Sequence, residues 1–262
     1  MSARAIWKAN LRLGDLGVPV KLYAALTDRR IHFRLLHRKD LVPVAQQMVN
    51  PRTDQPVPAE QIKRGIEIEP GRTIVLEETE LRALEPPASR DITLERFVDA
   101  DRIQRTWIER PYYLGPDEST PSYFALATAL RQETKVGLAR WRMRKKRYAG
   151  LLGTRGGYLT LTTLRPAAAL IDAVVARPAT GRDLEPRERE MARQLVGLLE
   201  GNFDPSDYHD AYREGVHDLV ARKERGEVIA FKKEPASKGD AGSFSEMLAR
   251  SIRRVKEQHK SA

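Results

Sequence analysis

This chain of 262 residues contains no cysteine. Disulfides, thiolate metal sites and cysteine nucleophiles are therefore excluded. Aromatic residues make up only 6%, which limits the surfaces on which bases could stack. No apolar run approaches the roughly 20 residues that a membrane-spanning helix needs. Met1-Ser2-Ala3-Arg4 leads into no apolar segment, so the expectation is an intracellular protein without a signal peptide. Acid is also in short supply: 36 Asp and Glu face 46 Lys and Arg, a net charge of +10. That balance favours nucleic acid as a partner, or less often an anionic membrane surface.

The shortage of acid is sharpest in the middle of the chain. Neither Asp nor Glu occurs between Glu133 and Asp172, so the expectation is that nothing nearby neutralises the bases there. From Ala139 to Arg144 the pattern alternates strictly, with Ala139, Trp141 and Met143 on one side and Arg140, Arg142 and Arg144 on the other. This predicts a strand with one buried face and an outer row of guanidinium groups. A turn at Lys145-Lys146-Arg147 extends the row, Arg155-Gly156-Gly157 gives a second turn, and Tyr158 to Leu164 a further strand. Arginine offers phosphate a fixed fork of donors, so the row suits a polyanion. The alternative is a solvated strand face, which normally mixes its signs.

The remaining pattern predicts a mostly β core. Arg4 to Leu13 and Val18 to Tyr23 alternate around a Gly14–Gly17 turn, and Ile31 to His37 reads as a third strand. Arg38 to Arg72 holds five prolines and little periodicity, the mark of a long functional excursion. Thr73–Leu76 returns as a strand, Glu77–Leu84 as a short helix, and Ile92–Val98 and Thr106–Ile108 as strands. Arg110 to Pro116 reads as a rigid aromatic connection. A helix after Pro121 carries the stripe Tyr123, Leu126, Ala127 and Leu130. Beyond Leu170 the periodicity turns helical. One helix starts near Pro186, with Met191, Leu195, Leu198 and Leu199 as its stripe. A second starts at Asp204, with Tyr208, Tyr212, Val216 and Leu219. A polar linker from Lys232 leads to an amphipathic tail helix over Ser245–Gln258. No internal repeat is evident.

Two other functional classes compete. Asp204, Asp207, His209, Asp210, Glu214 and His217 lie within a short span, a set suggesting a metal-dependent nuclease or phosphatase. A capped helix with an ion-paired face explains the same residues. Alternatively, a nucleoid-packing or RNA-binding module would use Trp7, Trp107 and Trp141 as stacking platforms. Their places on apolar strand faces favour the core instead.

With the chain laid out, its residues resemble the prokaryotic Ku proteins of non-homologous end joining. The likeness runs through Ala5-Ile6-Trp7-Lys8, Val18–Tyr23 and His32–His37, then Pro111-Tyr112-Tyr113-Leu114, Lys135–Arg140 and Leu161–Arg165. It ends with Phe203-Asp204-Pro205, Tyr208–Arg213, Lys223 and Gly226. The resemblance implies an α+β fold, mostly β: a Ku-type antiparallel β-barrel with a long bridging arch and a C-terminal helical extension. Its divisions would be a core over 1–182 with the arch at about 37–73, an arm over 183–230, and a tail over 231–262. It implies a homodimeric ring around double-stranded DNA ends, with no catalytic site and no cofactor. A multifunctional ATP-dependent ligase would be the partner, and the bacterial cytoplasm and nucleoid the location. The DNA-contacting residues would be Arg29, Arg30 and Arg34 at the foot of the arch, and Lys39, Arg52, Lys63 and Arg64 on it. Arg140, Arg142, Arg144, Lys145, Lys146, Arg147 and Arg155 would complete the set on the barrel. Gly226, Glu227, Val228 and Ile229, with Met247, Leu248 and Ile252 of the tail helix, would meet the ligase. Where several relatives carry cysteine pairs near the arch, this chain has Asn50-Pro51-Arg52-Thr53, so no thiolate metal knuckle is expected.

Overall fold

The opening alternation forms a hairpin of β1 (Trp7–Leu13) and β2 (Leu16–Ala24), in register from Trp7–Leu22 to Leu13–Leu16. Its inward side chains Ala9, Leu11, Val18, Val20 and Leu22 are buried, as a period of two requires. The computed structural model describes residues 4–118, 120–171, 175, 181–227 and 243–260. The chain divides into two units, Met1–Ala176 and Arg177–Ala262.

In the first unit, five further strands close a barrel with the hairpin. They are β5 (Asp91–Asp99), β6 (Ile108–Pro116), β7 (Lys135–Met143), β8 (Lys146–Arg155) and β9 (Tyr158–Leu164). The order is β1-β2-β6-β9-β8-β7-β5. Every pairing is antiparallel except the closing one, β1 with β5, which runs parallel from Asn10–Asp91 to Arg12–Thr93. Closure leaves the barrel no open edge. Helix α2 (Thr120–Gln132) packs Tyr123, Ala127 and Leu130 against the core. The Tyr123 hydroxyl donates to the Leu114 carbonyl and accepts from the Leu159 amide at 2.8 Å, bolting the helix to β6 and β9.

Three local expectations are corrected. Arg110 to Pro116 is not a connection but most of β6, paired with β2 and β9. Its two prolines mask a strand whose neighbours accommodate them. Thr106–Ile108 is split between a single 3₁₀ turn and the start of β6. Ile31 to His37 makes no strand; a lone bridge joins Leu36 to Pro43. That run has no sheet partner to reward its alternation.

Between β2 and β5 the chain makes the expected excursion. It contains a hairpin of β3 (Arg64–Glu69) and β4 (Arg72–Leu76) and the short helix α1 (Glu78–Ala83). No residue from Tyr23 to Arg90 is buried. Two loops within it share one wiring. In the first, the His37 amide donates to Val42, Leu41 to His37 and Val44 to Leu35, at 2.8–3.0 Å. In the second, Asn50 donates to Gln55, Asp54 to Asn50 and Val57 to Met48, each at 2.9 Å. Leu41 (φ 58°) and Asp54 (φ 54°) hold the same left-handed position in each. The excursion thus repeats itself in backbone and partly in side chains, since Pro43-Val44 recurs as Pro56-Val57 at the matching place.

In the second unit, α3 (Pro186–Leu198) begins with a reciprocal cap between Glu185 and Glu188. Helix α4 (Ala211–Glu224) begins at Asp210, later than expected: Pro205–Asp207 is a separate 3₁₀ turn, so Tyr208 lies outside the helix and is exposed. Each segment has its own cap, Asp204 accepting from the Ser206 amide and Asp210 from the Arg213 amide. Helix α5 (Phe244–Lys260) packs on α3 and buries Leu248 and Ile252, worth about 1.5–3 kcal/mol for each side chain.

Candidate nucleic-acid interface

The central strand pair is built as its alternation requires. On β7, Ala139, Trp141 and Met143 are buried, and Arg140 and Arg142 face outward. Trp141 stacks on Tyr148 of β8, ring centroids 5.5 Å apart. Gly150 makes room for that indole: a Cβ there would lie 2.6 Å from it and closer still to the Thr162 carbonyl. The packed layer beneath fixes the outer face. Arg142 lies directly opposite Arg147 in the β7–β8 register, the separation at which side chains interact most strongly. Two like charges there repel unless an anion joins them.

The turn falls one residue earlier than its composition suggests. Arg144 and Lys145 form it, both left-handed (φ 50° and 66°), while Lys146 and Arg147 already belong to β8. Left-handed geometry at both central positions is the hairpin turn that suits strand twist. Side chains other than Gly, Asn and Asp enter it at a cost of roughly 1–2 kcal/mol each. The tip therefore carries two cations in place of the residues its geometry favours.

The row is not free of acid, which corrects the expectation that nothing nearby neutralises it. Glu95 of β5 meets Arg140 at 3.0 Å, and Glu85 meets Lys145 at 3.0 Å. Both acids come from distant sequence, brought in by the β5–β7 pairing and by the segment after α1. Glu95, Glu109, Arg140, Arg142, Lys146 and Arg147 line one open groove on this face. Arg155 lies apart from it. Ending β8 at the Gly156-Gly157 turn, it is eight residues from Arg147, about 26 Å along the strand.

On the excursion the named bases are exposed. Arg30 is held by Asp28, with Nη2 to Oδ2 at 2.6 Å, and this contact drives the Asp28 carboxyl far below its ordinary range. Lys63 meets Glu77 at 2.6 Å, which raises the lysine's pKa. Arg64 opens β3. Lys39 and Arg52 occupy equivalent places in the two like-wired loops, two residues after His37 and Asn50. The two loops thus present a cation each at the same point.

Of the tail residues, Gly226 and Glu227 follow α4, and Glu227 is clamped by Arg222 at 2.9 Å and Arg225 at 2.7 Å. Val228, Ile229 and most of the linker lie outside the described residues. Leu248 and Ile252 are buried on α3, while Met247 is exposed. Asp204 and Asp210, from the acidic span, serve as caps, and His209 approaches Glu214 at 3.6 Å. Among the described residues no three His, Asp or Glu side chains converge as metal ligands do, and no helix is long and apolar enough to cross a membrane.

Comparison with known proteins agrees with this architecture. A family model described as the Ku70/Ku80 beta-barrel domain matches residues 12–188. The chain is 34% identical over 231 residues to "Non-homologous end joining protein Ku 2" of Geotalea uraniireducens, covering 88% of this chain and 90% of that one. It is 33% identical to proteins named "Non-homologous end joining protein Ku" from Anaeromyxobacter sp. (95% of this chain, 85% of the relative) and Pseudomonas aeruginosa (96% and 88%). A closed barrel interrupted between its second and third strands by a long, wholly unburied excursion, matched over its length by these relatives, places the chain in the Ku family.

Proposed function

We propose that two copies of this chain form a ring that binds double-stranded DNA ends without regard to sequence, shields them, and recruits an ATP-dependent ligase for non-homologous end joining. The observation that carries the reading is the cross-strand Arg142–Arg147 pair beside the Arg144-Lys145 tip. Lys145 is met by Glu85, but the cross-strand arginines repel one another, and bound phosphate would relieve them. Contacts of this kind read backbone, not base edges, so any sequence serves. The excursion supports the second copy. Phe33, Leu35, Leu41 and Met48 are each more than 60% exposed, and so many large apolar side chains on one excursion suit a protein partner more than phosphate. The names of the relatives support the pathway. In this reading the core spans about 1–182, the arm 183–230 and the tail 231–262. The chain performs no chemistry of its own and acts in the nucleoid.

A ring loads only at a terminus. Linear, hairpin-capped and covalently closed circular duplexes of equal length should therefore differ sharply in a gel-shift competition. The linear form should bind best and the circle poorly, with log affinity falling against log salt by about 0.9 per phosphate neutralised. Equal competition by circle and linear duplex would overturn the proposal, and metal-dependent cleavage lost in Asp210→Ala would replace it with the nuclease reading.

A further inference from the structure

We propose that α5 is a detachable latch: it seals its own apolar stripe against α3 in the resting chain, with Ser245 on Glu188 fixing the register. Ser245, Leu248, Ile252 and Val255 advance along α5 by three and four residues, the rhythm of a two-helix seam. They are the covered or half-covered positions of that helix. On α3 Glu188 is covered and Met191, Ala192, Leu195 and Leu198 are half-covered, so the same rhythm runs along it with Ala192 beside the seam.

Glu188 is the anomaly in that seam, a carboxylate only 2% exposed. It is fully engaged. Arg182 donates to both of its oxygens at 2.7 and 2.6 Å, the Glu185 amide at 3.1 Å, and the Ser245 hydroxyl at 3.0 Å. Arg182 chiefly, with the Glu185 amide next, holds its pKa down to about 2. One carboxylate therefore joins the segment before α3, the first turn of α3 and the first turn of α5. A charge at a seam position is tolerable only with its partners in place, and such groups set register at the expense of stability. Slipping or lifting α5 removes the Ser245 contact while leaving the other three.

Two features make α5 separable. Its start is capped from within, Ser243 and Glu246 exchanging contacts at 3.0 and 3.3 Å, so its helical start does not depend on α3. Its seam buries few large side chains, and elements with little buried apolar area open at less cost than the whole fold. Once lifted, α5 offers Leu248 and Ile252 on one side, exposed Arg253 and Arg254 on the other, and Lys256 at the edge of the apolar stripe. That suits an apolar groove rimmed with acids. Only this last step rests on the ligase-contact reading above. For that contact the latch means that a partner must first win α5 from α3.

Hydrogen exchange on the full chain tests the latch. Ser245→Ala removes only what α5 gives to Glu188 and leaves the α3 cap and the Arg182 pair. The α5 amides should then exchange about tenfold faster, the loss expected for one hydrogen bond to a charged group, with barrel strands unchanged. Unaltered α5 exchange, or barrel strands loosening in step with it, would refute the latch. A second measurement guards against a local accident. In the full chain carrying Leu248→Asp and Ile252→Asp the seam is vacated, and an added peptide of residues 243–260 should bind at least tenfold tighter than to the unaltered chain. Equal binding to both would show that α3 is not its seat. Neither readout involves DNA, so failure here and failure of end binding are told apart.

Discussion

The barrel carries two hairpin tips of the same geometry and opposite chemistry. Between β8 and β9 the two left-handed positions are Gly156 (φ 58°) and Gly157 (φ 82°), the residues that adopt them without strain. Between β7 and β8 they are Arg144 and Lys145. Two glycines would serve the fold equally well at both sites, so the second tip is explained by what its side chains meet. Under the proposed function, the strain at the Arg144-Lys145 turn is the kind that a phosphate-facing tip would carry.

The comparison can be broken from either side. The largest effect on DNA should come from just below the charged tip. Arg142→Gln with Arg147→Gln should weaken binding of linear duplex by about a hundredfold near 0.1 M salt and flatten the salt slope by about 1.8. An unchanged slope in a titration series would remove the cross-strand pair from the interface. Next, Arg144→Asn with Lys145→Gly gives the tip the residues its geometry favours. Melting should rise by several degrees, reflecting about 2 kcal/mol, while end affinity drops about tenfold. A gain in stability with full affinity would reduce this tip to a quirk of sequence. The reverse graft, Gly156→Arg with Gly157→Lys, should cost about 2 kcal/mol in denaturant unfolding and leave affinity within about twofold. Improved binding by the graft would mean that the far end of β8 also faces DNA. Smallest of all, Glu95→Gln releases Arg140 from its 3.0 Å partner. Affinity should rise by about two- to threefold, and a decrease would show that Glu95 orients the arginine instead of competing for it.

The same comparison shows what the sequence can disclose. Ala139, Trp141 and Met143 announce their strand because burial imposes a period that nothing else in the segment contradicts. Gly156-Gly157 announces its turn through residue type. Arg144-Lys145 does not, because no local chemistry marks arginine or lysine as left-handed; only the β7–β8 register places the turn there. Glu95 and Glu85 were beyond reach for a related reason. Their approach to the basic row depends on strand pairing across long stretches of chain, and a count of acids near Arg140 in sequence cannot see it. Pro111 and Pro116 hid β6 by resembling a loop. The paired loops at His37 and Asn50 share backbone wiring and a closing Pro-Val pair, but two identical residues are too short a match to announce a repeat in sequence. The bases themselves were legible one at a time; their grouping, and the isolation of Arg155, were not.

The parallel pairing of β1 with β5 has a mechanical consequence. β2 and β5 flank β1, so the two roots of the excursion, at Ala24 and Asp91, are stapled to opposite sides of one strand. Strand spacing and rise put them on the order of 20 Å apart. The excursion is therefore a hasp fixed at both ends and not a flap on one hinge. Any swing of the excursion must pivot about the line joining those two roots, and in the proposed ring a rod beneath it would travel lengthwise.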